Sequence, residues 1–312
     1  MRPFAFVFPG QGSQSVGMLD AWGDNAVVRQ TLDEASSALG EDIGKLIRKG
    51  PKEQLDLTTN TQPVMLTAGI ACYRAWLAET RAVPAVVAGH SLGEYTALVV
   101  GGALAFADAL PLVRYRAEAM QDAVPVGTGA MAAILGLDAA SVEAGCAAAA
   151  AATGQAVAAA NFNDPKQTVI SGSKAGVDKA CALLLAAGAK RALPLAVSAP
   201  FHSSLMKPAA DRLRERLLGV RIDAPLIPVI DNVDVKSETE PAAIRDALYR
   251  QADGPVRWTE TIREIRSRGV SHIFECGPGK VLAGMVRRID ADAVSASVFD
   301  PASLRDASAL LQ

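Results

Sequence analysis

The sequence predicts an α/β fold in two parts. Residues 1–125 and 198–312 form a large α/β domain, and residues 126–197 form a small ferredoxin-like domain inserted into it. Three observations predict this. Residues 4–8 are a short apolar, strand-like run ending in a Gly-rich loop. The pentapeptide Gly89-His90-Ser91-Leu92-Gly93 follows an apolar stretch with a β-branched core, 82–88, and precedes a helix-compatible stretch, 92–100. Strand, Gly-x-Ser-x-Gly, helix is the context of a nucleophile elbow. Finally, from the hinge Val126-Gly127-Thr128-Gly129 the patterns read strand 130–137, helix 139–152, strands 156–162 and 168–171, helix 174–187 and strand 192–197. That β-α-β-β-α-β order is the ferredoxin-like one.

Half of the 312 residues are hydrophobic, enough for a sizeable core, and the net charge of −2 supplies no global basic field for nucleic acid. Cys72, Cys146, Cys181 and Cys276 show no Cys-x-x-Cys spacing. They read as reduced thiols of a cytosolic protein, neither a disulfide frame nor a zinc site. The first residues read as a strand, not as a signal peptide. Residues 144–163 are free of charge but rich in Ala, Gly, Gln and Asn, a helix and strand in place of a membrane span.

Along the chain, Pro9-Gly10-Gln11-Gly12-Ser13-Gln14 has the glycines of a phosphate loop but the wrong spacing: the next glycine is Gly17 and no Gly-Lys-Ser/Thr follows. Gln11 either donates into a site at the sheet edge or lies in a plain solvated loop. Breaks fall at Gly50-Pro51 and at 58–63, where the proline and capping residues announce a helix over 64–77. In the elbow, the glycines permit a sharp turn, Ser91 takes its exposed tip, and the Leu92 N–H lies at a helix start where amide donors are unpaired.

The helix expected over 106–123 has an apolar face of Ala109, Leu112, Val113, Met120 and Ala123. Arg114 falls on the polar face and reads as solvated. Arg116 falls on the apolar face. A buried guanidinium cannot escape by deprotonating, so it needs a carboxylate, either from the protein or from a ligand. The second case predicts an acidic substrate held by the Arg fork. The chain has only three histidines. His90 lies inside the elbow and His272 in a strand-like run. His202, in Pro200-Phe201-His202-Ser203 where the insert rejoins the large domain, is the remaining general base for Ser91, or else a structural histidine. Gln251 sits near the end of a helical pattern over 246–252, a further helix is expected over 260–268, Gly279-Lys280 is a turn, and the last residues read as a ragged tail.

Together, Phe8-Pro9-Gly10-Gln11-Gly12-Ser13-Gln14, Gly89-His90-Ser91-Leu92-Gly93-Glu94-Tyr95, Asn161-Phe162-Asn163, Pro200-Phe201-His202-Ser203 and Gly277-Pro278-Gly279-Lys280, in this order, resemble the malonyl-CoA:acyl carrier protein transacylases of bacterial fatty acid synthesis. The resemblance runs from about residue 4 to 288. It implies an α/β-hydrolase-like large domain carrying the ferredoxin-like one, with Ser91 as acylated nucleophile and His202 as its base. It further implies Arg116 on the malonyl carboxylate, an oxyanion hole at Gln11 and Leu92, and the Gln251 main-chain carbonyl orienting His202. That last role would answer the absence of an obvious triad acid. The expected partners are malonyl-CoA and an acidic, phosphopantetheinylated acyl carrier protein, with no cofactor, no metal, no nucleic acid and no membrane, the chain acting as a monomer. Asp231 stands where relatives often have Asn, and 252–254 is more polar than expected.

Phe201 beside His202 suits a small, unbranched acyl group. The alternatives are an α/β-hydrolase-type esterase or thioesterase, a non-catalytic carrier-binding scaffold, and an acyltransferase of a polyketide pathway. Lys166, Lys174, Lys190 and Arg191 are candidates for carrier contact, or ordinary solvated side chains.

Overall fold

A computed structural model describes residues 2–312. The strands are β1 (Phe4–Phe8), β2 (Val86–Gly89), β3 (Gly129–Leu135), β4 (Val157–Asp164), β5 (Gln167–Ser173), β6 (Arg191–Pro194), β7 (Val229–Ile230), β8 (His272–Cys276) and β9 (Val294–Val298). They form two sheets: a five-stranded one in the order β7-β2-β1-β8-β9 and a four-stranded one in the order β4-β5-β3-β6.

The first sheet is parallel throughout, and β1 is its central strand. Every residue of β1 is buried, as a parallel strand covered by helices on both faces should be. The two-residue period splits its side chains between two cores. Phe4, Phe6 and Phe8 enter one with Trp76 and Phe274; Ala5 and Val7 enter the other with Trp258, Ile262 and Ile273. The Trp76 ring lies 5.5 Å from Phe4 and 5.2 Å from Phe6, which fixes the helix Thr58–Thr80 against the sheet.

Register then places the site. Phe8 pairs with Gly89, so the loop after β1 and the elbow after β2 leave the sheet side by side. This is the carboxyl edge of the sheet, where open α/β folds bind their ligands. Two glycines there are obligatory for close approach. A Cβ on Gly89 would fall 1.9 Å from the Gly93 carbonyl carbon, and one on Gly93 would fall 2.1 Å from the Phe8 oxygen.

The second sheet has the strand order of a ferredoxin-like unit, with both helices on one face. Ala132, Ile134, Val142, Cys146, Ile170, Val177 and Leu184 fill that layer. On the other face Met131, Ala133, Ala160 and Val169 pack against Val197 and Phe201, beside His202. The insert therefore turns its helix-free face toward the chain that carries the histidine.

Two expectations need correction. Residues 58–63 are not a break: the helix runs Thr58–Thr80 with Pro63 inside it. Pro63 lies in its second turn, where only one main-chain hydrogen bond is forgone, and the Thr67 hydroxyl donates to the Pro63 carbonyl. The end of the chain is not ragged. It forms β9 and the helix Pro301–Ala309, closed at its start by a capping box between Asp300 and Ser303.

Cys72, Cys146 and Cys276 are buried free thiols, and Cys181 is a half-buried one. Among the described residues no helix is long and apolar enough to cross a membrane. Gly89→Ala should cost about 1–3 kcal/mol through overpacking, read as a lower denaturation midpoint, with the elbow displaced.

Candidate active site

Ser91 lies two residues beyond the end of β2, and its backbone is left-handed, φ +52°. A left-handed serine is strained by about 1–3 kcal/mol, so other groups must hold it. Asn232, in the turn after β7, does so. Its Oδ1 accepts the Ser91 N–H at 2.7 Å, and its Nδ2 donates to the Gly89 carbonyl at 2.7 Å. The helix Gly93–Val100 begins immediately after. The main-chain N–H groups of Gln11 and Leu92 donate to no acceptor among the described residues.

His202 also has a left-handed backbone, φ +59°, and is 5% exposed. Its Nε2 lies 2.7 Å from Ser91 Oγ. Its Nδ1 lies 3.0 Å from the Gln251 carbonyl and 3.1 Å from the Gly254 carbonyl. Two carbonyl oxygens can only accept, so Nδ1 carries the proton and Nε2 is left to accept from the Ser91 hydroxyl. Burial, then the charge of Arg116 and the neighbouring His90, push the imidazole down to about 3, against the two carbonyls that favour its charged form. The ring is neutral, in the tautomer a general base needs.

Arg116, in the helix Phe106–Asp122, is 2% exposed. The sequence left open whether a protein carboxylate meets it. None does among the described residues. One terminal nitrogen donates to Gln62 Oε1 at 2.9 Å; the other donates to Gln251 Oε1 at 2.9 Å and to Ser91 Oγ at 3.2 Å. Its carbon lies 5.4 Å from the Tyr95 ring centre. Neutral amide oxygens orient the fork without cancelling its charge. Arg114 is not simply solvated: it pairs with both oxygens of Glu41, at 3.0 and 2.9 Å.

The Gln11 side chain donates to Thr58 Oγ1 at 3.2 Å, leaving its main-chain N–H as the donor facing the site. Gln11, Gln62, Ser91, Leu92, Arg116 and His202 line one cavity of ≈ 140 Å³, closed on the insert side by Met131, Asn161 and Val197 with Phe201. His90 is part of the wall, its Nε2 2.9 Å from Asn163 Oδ1 and its ring against Trp258. Among the described residues no group of three His, Cys, Asp or Glu side chains is placed to hold a metal ion.

Ser91, His202, Arg116, Gln11, Leu92 and Gln251 thus converge. Gln62, Asn232, Gly254 and Glu94 escaped the sequence reading. Gln62 was hidden in the supposed break. Asn232 follows a strand at the same sheet edge as the Gln11 loop and the elbow, and that position was its available signal. The lysine candidates do not share one patch. Lys166, Lys190 and Arg191 gather around Gly136 at one end of the small sheet, and Lys174 stands at the other end, paired with Asp178.

Residues 5–298 match the family model described as acyl transferase domain. The chain is 53% identical over 304 residues to the malonyl CoA-acyl carrier protein transacylase of Escherichia coli strain K12, covering 97% of each chain. It is 66% identical to a solved acyl-carrier-protein S-malonyltransferase from Burkholderia pseudomallei 1710b, with a TM-score of 0.96 over 98% of this chain and 99% of that one. It is also 50% identical, with a TM-score of 0.96 and 98% coverage of both, to a malonyl-transacylase solved in complex with its type II PKS acyl-carrier protein. The fold, the elbow and these likenesses agree: the chain belongs to the acyl transferase domain family, among the malonyl CoA-acyl carrier protein transacylases.

Proposed function

We propose that this enzyme moves a malonyl group from malonyl-CoA to the phosphopantetheine thiol of acyl carrier protein, through an ester on Ser91, for fatty acid chain elongation. The observation that carries the reading is the meeting of two functions at one atom. Ser91 Oγ lies 2.7 Å from the neutral nitrogen of His202 and 3.2 Å from the guanidinium of Arg116. A nucleophile with its base thus stands beside a buried cation that has no anion of its own, which suits an acyl group ending in a carboxylate.

In the first half-reaction the malonyl carboxylate binds Arg116. Ser91 Oγ attacks the thioester carbon as its proton passes to His202 Nε2. The oxyanion is met by the Leu92 and Gln11 N–H groups, preorganised and otherwise unpaired. The C–S bond then breaks and the His202 proton goes to the CoA sulfur. In the second half-reaction His202 takes the proton of the carrier thiol, the sulfur attacks the ester, and the proton returns to Ser91 as the C–O bond breaks. The Gln251 carbonyl keeps Nδ1–H oriented throughout. Residues 126–197 act as the small domain closing the acyl cavity, and Phe201 and Met131 favour a small unbranched group. The four free thiols suit a cytoplasmic setting, and the proposed working form is a monomer. A polyketide carrier is a second reading, favoured by the related complex with a type II PKS acyl-carrier protein. The chemistry at Ser91 is the same in both.

Intact mass after brief incubation with malonyl-CoA should show one malonyl adduct on the wild type, none on Ser91→Ala, and its loss when carrier protein is added. Malonate accumulating in place of the adduct would make the enzyme a hydrolase; no adduct and no turnover would make it a binding module. Arg116→Ala should erode the preference for malonyl-CoA over acetyl-CoA by about 10- to 100-fold in kcat/KM, the worth of hydrogen bonds to a charged group. Because His202 must be neutral to act and its folded value lies near 3, its protonation should not limit kcat/KM as pH falls through the ordinary histidine range. An acid limb near the usual value of about 6.5 would show that His202 is not held as described.

A further inference from the structure

The site contains a buried carboxylate that the transfer reaction, as set out above, does not use. Glu94 is the second residue of the helix Gly93–Val100, 2% exposed, and forms no ion pair among the described residues. An unpaired carboxylate is costly to bury. The helix N-terminus offsets part of that cost, and the partners of Glu94 show what the remainder secures. Its Oε2 accepts the main-chain N–H of Asn232 at 3.0 Å and the side-chain amide of Gln251 at 2.9 Å.

Those two residues reach the whole reacting centre. Asn232 holds the Ser91 N–H and the Gly89 carbonyl. The Gln251 amide also donates to the Ser91 carbonyl at 3.0 Å, its side-chain oxygen accepts from Arg116, and its main-chain carbonyl accepts from His202. We infer that Glu94 is a positioning residue: one carboxylate oxygen ties Asn232 to Gln251 and so fixes the distance between the nucleophile, its base and the guanidinium. This rests on the transfer reading for what the centre does, but the tie itself is a matter of the geometry of Ser91, His202 and Arg116.

The tie does not need the charge. Burial and Asp231 raise the Glu94 carboxyl to about 8, opposed by the two donors and by Arg116. A proton on Oε1 would leave Oε2 an acceptor. Glutamine in its place can turn its amide oxygen to the same two donors; alanine cannot.

The test compares Glu94→Gln and Glu94→Ala in the full chain, using a neutral alkyl fluorophosphonate that modifies Ser91 and carries no carboxylate for Arg116 to bind. Glu94→Ala should slow its reaction by about tenfold or more, the consequence of leaving buried donors unsatisfied, and slow malonyl-Ser91 formation similarly. Glu94→Gln should stay within about threefold of wild type. Rates are expressed per active site, counted by final adduct stoichiometry, so a purely structural role would lower the count and leave the rate unchanged. Wild-type rates in Glu94→Ala would overturn the inference. If Glu94→Ala does not fold, Gln251→Met removes one end of the tie while keeping the main-chain carbonyl. It should show the same slowing, and an unchanged rate there would equally overturn the inference. A wild type that takes the fluorophosphonate on Ser91 but never a malonyl group would sink the transfer reading and leave the positioning role standing.

Discussion

A guanidinium buried without a carboxylate is the constraint that the rest of this centre answers. Arg116 cannot shed its proton, and burial leaves it little contact with water. The protein offers Gln62, Gln251 and the face of Tyr95, which orient the cation and stabilise it only in part. The residual charge acts on its neighbours. Added to burial, which is the larger cause, it disfavours a second positive charge on His202 and helps keep that ring neutral. It also leaves an electrostatic deficit in the cavity that an incoming carboxylate relieves. Substrate choice and the neutrality of His202 are therefore linked through Arg116, with burial the larger influence on the ring.

Sequence legibility followed the range of the physics involved. The elbow was legible because its parts are contiguous: strand, two glycines forced by 1.9 and 2.1 Å clashes, and helix. The insert was legible because each of its elements carries its own period. Arg116 stood out as a charge in an apolar stripe, but only the structure shows that amides and not an acid receive it. His202 was reached by elimination among three histidines, and Gln251 only through the family resemblance, since a main-chain carbonyl leaves no trace in residue identity. Gln62, Asn232 and Glu94 depend on contacts between distant segments, which no local pattern encodes. The terminal helix was missed because its cap, Asp300 with Ser303, is a single short motif next to an otherwise weak pattern.

The two sheets divide the work. Ser91, Leu92, Gln11 and Asn232 leave the carboxyl edge of the parallel sheet, whose central strand is buried on both faces and allows little movement. The antiparallel sheet and the chain that follows it supply walls: Met131, Asn161 and Val197 touch the cavity and take no part in holding the nucleophile. Rigidity is concentrated where bonds change, and the shape of the cavity is set by a separate layer.

The ties around Ser91 also join remote parts of the chain. The serine carbonyl is held by a residue 160 positions later, its backbone N–H by one 141 positions later, and its hydroxyl by one 111 positions later. Closing loops of that length costs entropy before any contact returns it. Two left-handed residues, Ser91 and His202, depend on those closures and on the bonds of His202 to the Gln251 and Gly254 carbonyls. A nascent or partly refolded chain can hold its helices and even its small sheet while the nucleophile is still unpoised. Catalytic competence in this protein thus requires all of these long-range closures at once, and recovered activity reports completion of the tertiary structure more stringently than recovered secondary structure.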